Sequence, residues 1–343
     1  MSFKKIMLAA VTACFTATTA SVFAETPAAP SISAKAAYVM DAGSGEEIYA
    51  KNADDRMYPG GTTTIMTCIL GVELGQNKLD QPITISEDSQ TLGSDVSVLG
   101  LYPGDKVTLR NAMTGMMTAS GCDAAVDVAE TVSPTMADFV GTMNTKAHSI
   151  GANHTHFVNP HGLPDDNQYT TARDMAKIAA YGMGLSNFRS MVGHTTYDMP
   201  YIDNGTKHCV STNDFLSSGF AGANGIKTGY TNMGGPCLVA SATQNGRTLI
   251  ASIMNSEDRF GDAKTLLDYG FKTQSKQTGA TNKTGVTSTT STTSTTSTTS
   301  ETDENVYVVR DAPAGQTLTQ IAKEQQKAAE LASQKKTEAG ATI

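Results

Sequence analysis

Apolar and polar positions along the chain change period several times, and each change marks an element. From Ala36, the stretch AAYVMDAGSGEEIYAKN holds two short runs of strand formers on either side of Gly43-Ser44-Gly45. That pattern predicts two strands joined by a tight turn. IMTCILGVELG is apolar on nearly every face and predicts a buried helix ending at Gly75. TLRNAMTGMMTASGCDAAVDVAETV carries helical periodicity interrupted at Ser120-Gly121, which predicts helix, sharp turn, helix. ARDMAKIAAYGM predicts another amphipathic helix, and RFGDAKTLLDYGF a closing one. Between them, GIKTGYTNMGGPCLVASATQNGRTLIASIMN reads as three strands, with the Asn245-Gly246 turn joining the last two. Strands at both ends and helices between them predict an α+β fold. Its antiparallel sheet combines N- and C-terminal strands, and a helical cluster packs against it.

The pattern also sets boundaries. Residues 1–24 run Lys4-Lys5, then an apolar stretch from Ile6, then small residues up to Ala24, which is the order of an export signal. VTAC ending at Cys14 resembles a lipoprotein box, so a lipid anchor at Cys14 is the alternative to simple cleavage. Residues 25–33 form a short linker, and the globular domain covers 34–274. Residues 275–303 are rich in Thr and Ser, with STT repeated from Ser288 to Thr299, and predict a disordered spacer. The tail, 304–343, contains one strand-like run, NVYVVRDAPAG, and a helix with a thin apolar stripe of Leu318, Ile321 and Leu331. No other apolar run approaches the roughly 18–20 residues of a membrane span. An extracytoplasmic protein of the cell wall or medium is expected.

Charge narrows the functional classes. Lys and Arg number 25 against 33 Asp and Glu, a formal charge of -8. Without residues 1–24 the balance is 23 to 33, or -10. That balance lacks the basic face of a nucleic-acid binder. Four cysteines remain after cleavage, Cys68, Cys122, Cys209 and Cys237, and no C-x-x-C pair points to zinc. No cofactor is implied.

Three places could carry chemistry. Ser120-Gly121-Cys122-Asp123 sits in a turn between helices, where a hydroxyl can either project into a cleft or cap the next helix. Lys227-Thr228-Gly229, at the start of an edge strand, can hold a carboxylate with its ammonium and hydroxyl, while the glycine lets a ligand backbone approach. The tripeptide alone is weak, since Lys283-Thr284-Gly285 recurs in the spacer. The third place is a histidine cluster, His148, His154, His156 and His161. His154 and His156 would share a strand face as metal ligands, but a carboxylate partner is lacking beyond Asp165 and Asp166.

Taken in order, these blocks resemble the serine D-alanyl-D-alanine carboxypeptidases, the low-molecular-mass penicillin-binding proteins with a β-lactamase/transpeptidase-like fold. The resemblance runs from about Ala37 to Phe271 and rests on YVMDAGSGEEIYAKNADDRMYP, SGCDAAVDVAE, THFVNPHGLPDDNQYTTARDMAKIA, GIKTGYT, GGPCLVASATQNGRTLIA and LLDYGF. It places His156 and His161 in a structural block of a family that works without zinc. It implies a serine nucleophile and a lysine base one helical turn apart in an S-x-x-K motif, a second-motif serine that relays protons, and a K-T-G strand that holds the substrate carboxylate. Carried over, the relay serine is Ser120 and the strand motif is Lys227, Thr228 and Gly229. Pro59 and Ile65-Met66-Thr67 fix the register of the first motif, so Gly61 stands at the nucleophile position and Thr64 at the base position. Cys122 occupies the second motif's asparagine position. A glycine has no nucleophile, and a threonine hydroxyl cannot take a proton as an amine does. Thr62 and Thr63 point about 100° or more away around a helix.

The resemblance therefore implies an exported cell-wall protein of this family that has lost catalysis. It would still bind a peptidoglycan stem peptide or a cell-wall protein, and β-lactam acylation is not expected. One alternative is an active carboxypeptidase that uses Ser120 or Cys122 beside Lys227, where a neighbouring cation would favour a thiolate. The other is an adhesion or interaction protein that works through its linker and tail.

Overall fold

The structure is a computed structural model that describes residues 28–203 and 205–281, with side chains to 273. The signal segment, most of the Thr/Ser spacer and the tail lie outside the described residues.

The predicted strand pair forms as β1 (Ala36–Asp41) and β2 (Glu47–Lys51). A short 3-10 turn over Gly60–Thr63 then leads into α1 (Thr64–Leu74). A small two-stranded ladder, β3 (Pro82–Thr84) with β4 (Lys106–Thr108), precedes α2 (Leu109–Ala119) and α3 (Cys122–Val132). Next come α4 (Met136–Ser149), α5 (Ala172–Gly184), α6 (Ser186–Val192) and a hairpin of β5 (Thr196–Pro200) and β6 (Thr206–Val210). The chain closes with β7 (Ala223–Thr231), β8 (Gly235–Gln244), β9 (Arg247–Met254) and α7 (Arg259–Thr281). Every element predicted within the described residues is present; the strand and helix expected in the tail lie outside them. The small ladder, α4, α6 and the β5–β6 hairpin were not predicted, and α7 continues past 274 to Thr281.

The main sheet has the order β2-β1-β9-β8-β7 and is antiparallel throughout, so the N-terminal strands pair directly with a C-terminal one. Both of its faces are covered, which explains why β8 and β9 read as nearly continuous apolar runs. Tyr38, Val239 and Ile250 point toward the helical cluster, whereas Val39, Leu238 and Leu249 point toward α7. Alternation at period two divides one set of strands between two cores. Helix α1 lies inside the larger core, with every residue from Thr64 to Val72 buried. Each fully buried aliphatic side chain such as Ile65 or Ile69 stabilises this arrangement by roughly 1.5–3 kcal/mol. Threonine caps set three of the surrounding helices: Thr108, Thr135 and Thr171 each accept a backbone N–H three residues on. Strand β7 ends the sheet, and one of its flanks faces the turn that starts α1.

Candidate functional site

Three segments distant in sequence meet beside β7: the turn at Gly60–Thr63, the α2–α3 corner at Ser120, and the strand residues Lys227, Thr228 and Gly229. Their approach depends on glycine. A Cβ on Gly229 would fall 2.8 Å from Pro59 O and 3.0 Å from both Gly61 N and Thr62 N, so strand and turn could not stay this close. A Cβ on Gly61 would fall 3.2 Å from Thr228 O and 3.3 Å from Ser120 Oγ. Position 61 therefore faces both other segments, as the resemblance implies for a nucleophile, and it contributes only backbone.

The neighbouring threonines do not fill the gap. Thr64 Oγ1 donates back to Gly61 O at 2.8 Å, and Thr62 Oγ1 donates to Pro59 O at 2.7 Å. Both hydroxyls are spent on carbonyls of their own turn. Thr63 Oγ1 is buried without a hydrogen-bond partner among the described residues.

Ser120 closes α2 in the left-handed conformation, φ 65° and ψ 45°, an uncommon backbone state for a residue other than glycine. That corner turns its hydroxyl toward β7, where Lys227 Nζ donates to Ser120 Oγ at 2.8 Å. Lys227 also donates to Thr228 O at 2.8 Å. The corner is held from behind by Asp123, whose carboxylate accepts the N–H groups of Leu99, Gly100, Leu101 and Ala124. Thr228 shares a 2.6 Å hydrogen bond with Thr212, and Arg259 reaches across from the start of α7 to donate to Gly229 O and Cys237 O. The sequence names Asp123 only as the end of the Ser120–Asp123 turn, without a role, and marks neither Thr212 nor Arg259.

Two expectations need correction. Lys227 lies in the middle of β7, not at its start, and is 0% exposed, so its ammonium does not reach into solvent as an open anion hook. Burial pushes its pKa down to about 7, the nearby Arg259 adds to this, and Cys122 partly opposes it. Cys122 opens α3 as a buried residue, its N–H donating to Ser97 O at 2.9 Å. Its thiol is pushed up to about 11, because burial outweighs the pull of Lys227. The neighbouring cation does not make this thiol readily ionised.

Two of the four clustered histidines, His156 and His161, serve the backbone. His156 Nδ1 lies 2.7 Å from Asn167 O, and the ring stacks on Tyr169. His161 Nδ1 accepts from Leu163 N–H, and burial lowers its pKa to about 4. Among the described residues, no three His, Cys, Asp or Glu side chains gather as a metal site. Cys68, Cys122, Cys209 and Cys237 are all free and buried.

Comparison with known proteins adds to this geometry. The sequence profile of the D-alanyl-D-alanine carboxypeptidases matches residues 23–258. The D-alanyl-D-alanine carboxypeptidase of Streptomyces sp. (strain K15) is 34% identical over 258 residues, which cover 71% of this chain and 88% of that protein. DacF from Bacillus subtilis is 32% identical, with 69% of this chain and 62% of that protein covered. DacA from Escherichia coli (strain K12) is 33% identical, with 72% and 62% covered, so the chain spans a little under two thirds of these last two relatives. The crystal structure of the Streptomyces K15 DD-transpeptidase superposes with a TM-score of 0.67 at 35% identity, covering 71% of this chain and 98% of that one. DacD from Francisella tularensis gives a TM-score of 0.63 at 31% identity, covering 71% of each chain. These neighbours carry the β-lactamase-like fold, and so does this chain. Solved variants of the Streptomyces enzyme include changes at a serine and at a cysteine two residues later, the spacing of Ser120 and Cys122.

Proposed function

The chain belongs to the D-alanyl-D-alanine carboxypeptidase family, and from that premise we propose that it is an exported, catalytically silent member that binds peptidoglycan stem peptides. The observation that carries the reading is the asymmetry of the site. Ser120, Lys227, Thr228 and Gly229 are assembled with close hydrogen bonds, while the position facing them, Gly61, offers only backbone. The family's reaction needs an alkoxide to attack the penultimate D-Ala carbonyl and a base to deprotonate it. Gly61 supplies no oxygen, and the Thr64 hydroxyl is tied to Gly61 O. Loss of the nucleophile alone costs about a million-fold in turnover in a well-studied serine protease. The serine-x-cysteine spacing in the Streptomyces relative makes Cys122 a poor marker of lost activity, so Gly61 and Thr64 carry this argument.

The part-exposed Ser120 hydroxyl lies beside β7, the edge strand of the sheet, a setting suited to an extended peptide. Location follows the substrate, since stem peptides lie outside the cytoplasmic membrane. No helix among the described residues is long and apolar enough to cross a membrane. The test is equilibrium binding of an N-acetylated peptide ending in D-Ala-D-Ala, with D-Ala release followed in the same sample. Saturable binding without release supports the reading; release above buffer, lost in Ser120→Ala, refutes it.

One observation favours a second reading. Ser120 Oγ and Lys227 Nζ are 2.8 Å apart, the spacing of a nucleophile and its base. An active enzyme built on that pair would release D-Ala, so the same assay separates the two. Cys122 is the weaker nucleophile here because burial holds its thiol near 11.

A further inference from the structure

Lys227 is fully buried, and both of its hydrogen bonds go to uncharged oxygens, Ser120 Oγ and Thr228 O. None of the ion pairs among the described residues includes it. The charged and titratable groups that face it compensate only in part. Cys122, from α3, opposes the shift, but burial pushes its own thiol up to about 11, and Arg259, from the start of α7, is a second cation. Asp123, next to Cys122, has its carboxylate occupied by four backbone N–H groups, and Asp214 acts on Arg259. Thr64 brings no amine to the cluster. A buried ammonium without an anion is costly, and it becomes favourable once an anion arrives.

The way in is also visible. Ser120 and Gly61 are part-exposed, whereas Lys227 sits behind them. A side chain on Gly61 would start 3.3 Å from Ser120 Oγ, so its absence leaves that hydroxyl open to a ligand oxygen.

We propose that this site takes up a carboxylate together with a proton. The anion docks on the part-exposed Ser120 hydroxyl, and Lys227 behind it gains a proton from solvent as the ligand binds. The free site is then near neutral and the occupied site holds a carboxylate–ammonium pair, so affinity rises as pH falls. The inference rests on the stem-peptide reading above and deepens it in one respect: uptake of the peptide's C-terminal carboxylate is regulated by proton uptake at Lys227. The lowered pKa of Lys227 is consistent with this and sets the window from about 7 upward.

Calorimetric titration of the N-acetylated D-Ala-D-Ala peptide tests it, in two non-phosphate buffers of different ionisation enthalpy. Near pH 8 the heats should differ between buffers by close to one proton taken up. Between pH 6.5 and 8.5 the affinity should fall by about 20-fold, since the peptide itself does not titrate there. The same peptide with a C-terminal amide should show no proton uptake. Lys227→Arg keeps its charge across this range and should flatten the pH dependence; should that variant fail to fold, the buffer dependence of the unmodified protein decides alone. Binding that is equally tight at both pH values, with heats independent of buffer, overturns the inference and leaves the stem-peptide reading standing. No binding at pH 6.5 removes the reading itself, and the inference with it.

Discussion

Replacing Lys227 with methionine removes the charge while keeping most of the volume, and the structure sets the expected effect. The lysine titrates near 7 in the folded protein because it is buried. In the unfolded chain it titrates near 10.4. Below pH 7 both states are charged at this position, and folding bears the full cost of burying the ammonium, roughly 4–5 kcal/mol. Between the two pKa values the unfolded chain binds more protons, so the stability of the natural protein rises with pH across that window. From pH 6 to pH 9 the single group contributes a rise of about 2.5 kcal/mol. Lys227→Met lacks this term. It also leaves Ser120 Oγ and Thr228 O without their donor, which costs about 1–3 kcal/mol for each buried acceptor at any pH. The absolute stability of the variant can therefore lie on either side of the natural protein, but the difference between them must change with pH. Urea unfolding of both proteins at pH 6 and pH 9 reads that change, and titrations common to both cancel. Lys227→Met should lose about 2.5 kcal/mol relative to the natural protein on going from pH 6 to pH 9. A difference constant within about 0.5 kcal/mol, the scatter of such measurements, would show that Lys227 is not held as an unpaired buried amine.

Other substitutions probe how the site is assembled. Gly229→Ala puts a methyl 2.8 Å from Pro59 O and should cost about 1–3 kcal/mol, seen as a lower Tm, by forcing the α1 turn off β7. Asp123→Ala strips four backbone N–H groups of their acceptor and should cost about 2–4 kcal/mol. Hydrogen exchange at Leu99, Gly100 and Leu101 should accelerate with it, and unchanged protection there would contradict the role given to Asp123. Iodoacetamide at pH 8 should leave Cys68, Cys122, Cys209 and Cys237 unmodified in the folded protein and alkylate them after unfolding. Rapid labelling of Cys122 without unfolding would show that its thiol is more exposed and more acidic than the structure has it.

The sequence made the scaffold legible because period and punctuation both agree with the fold. The Gly43–Gly45 turn, the Asn245-Gly246 hairpin and the break at Ser120-Gly121 each fall where an element ends. The β3–β4 ladder and the β5–β6 hairpin were missed for a physical reason. Each strand of the ladder has only three residues, and β5 and β6 each bury only one residue outright, so neither carries a strong period. The site was half legible. Ser120, Lys227, Thr228 and Gly229 stand out as residue types, and Pro59 with Ile65-Met66-Thr67 registers the missing pair at Gly61 and Thr64. What a linear reading cannot supply is dielectric environment. In the linear reading Lys227 is a carboxylate-holding ammonium at a strand start, and Cys122, in the active-enzyme alternative, a thiol that a nearby cation helps to ionise; burial takes the first out of solvent and raises the second. Arg259 and Thr212 reach the site only through tertiary contacts, and no local pattern announces them.

The central claim is that a family site has kept its binding half and lost its chemistry at Gly61 and Thr64. Intact-mass measurement after incubation with penicillin tests it most directly. The protein should remain unmodified, while the folded triple variant Gly61→Ser, Thr64→Lys, Cys122→Asn should gain the mass of one acyl adduct. A stoichiometric adduct on the natural protein, lost on Ser120→Ala, would contradict the account and make Ser120 the nucleophile of a working enzyme.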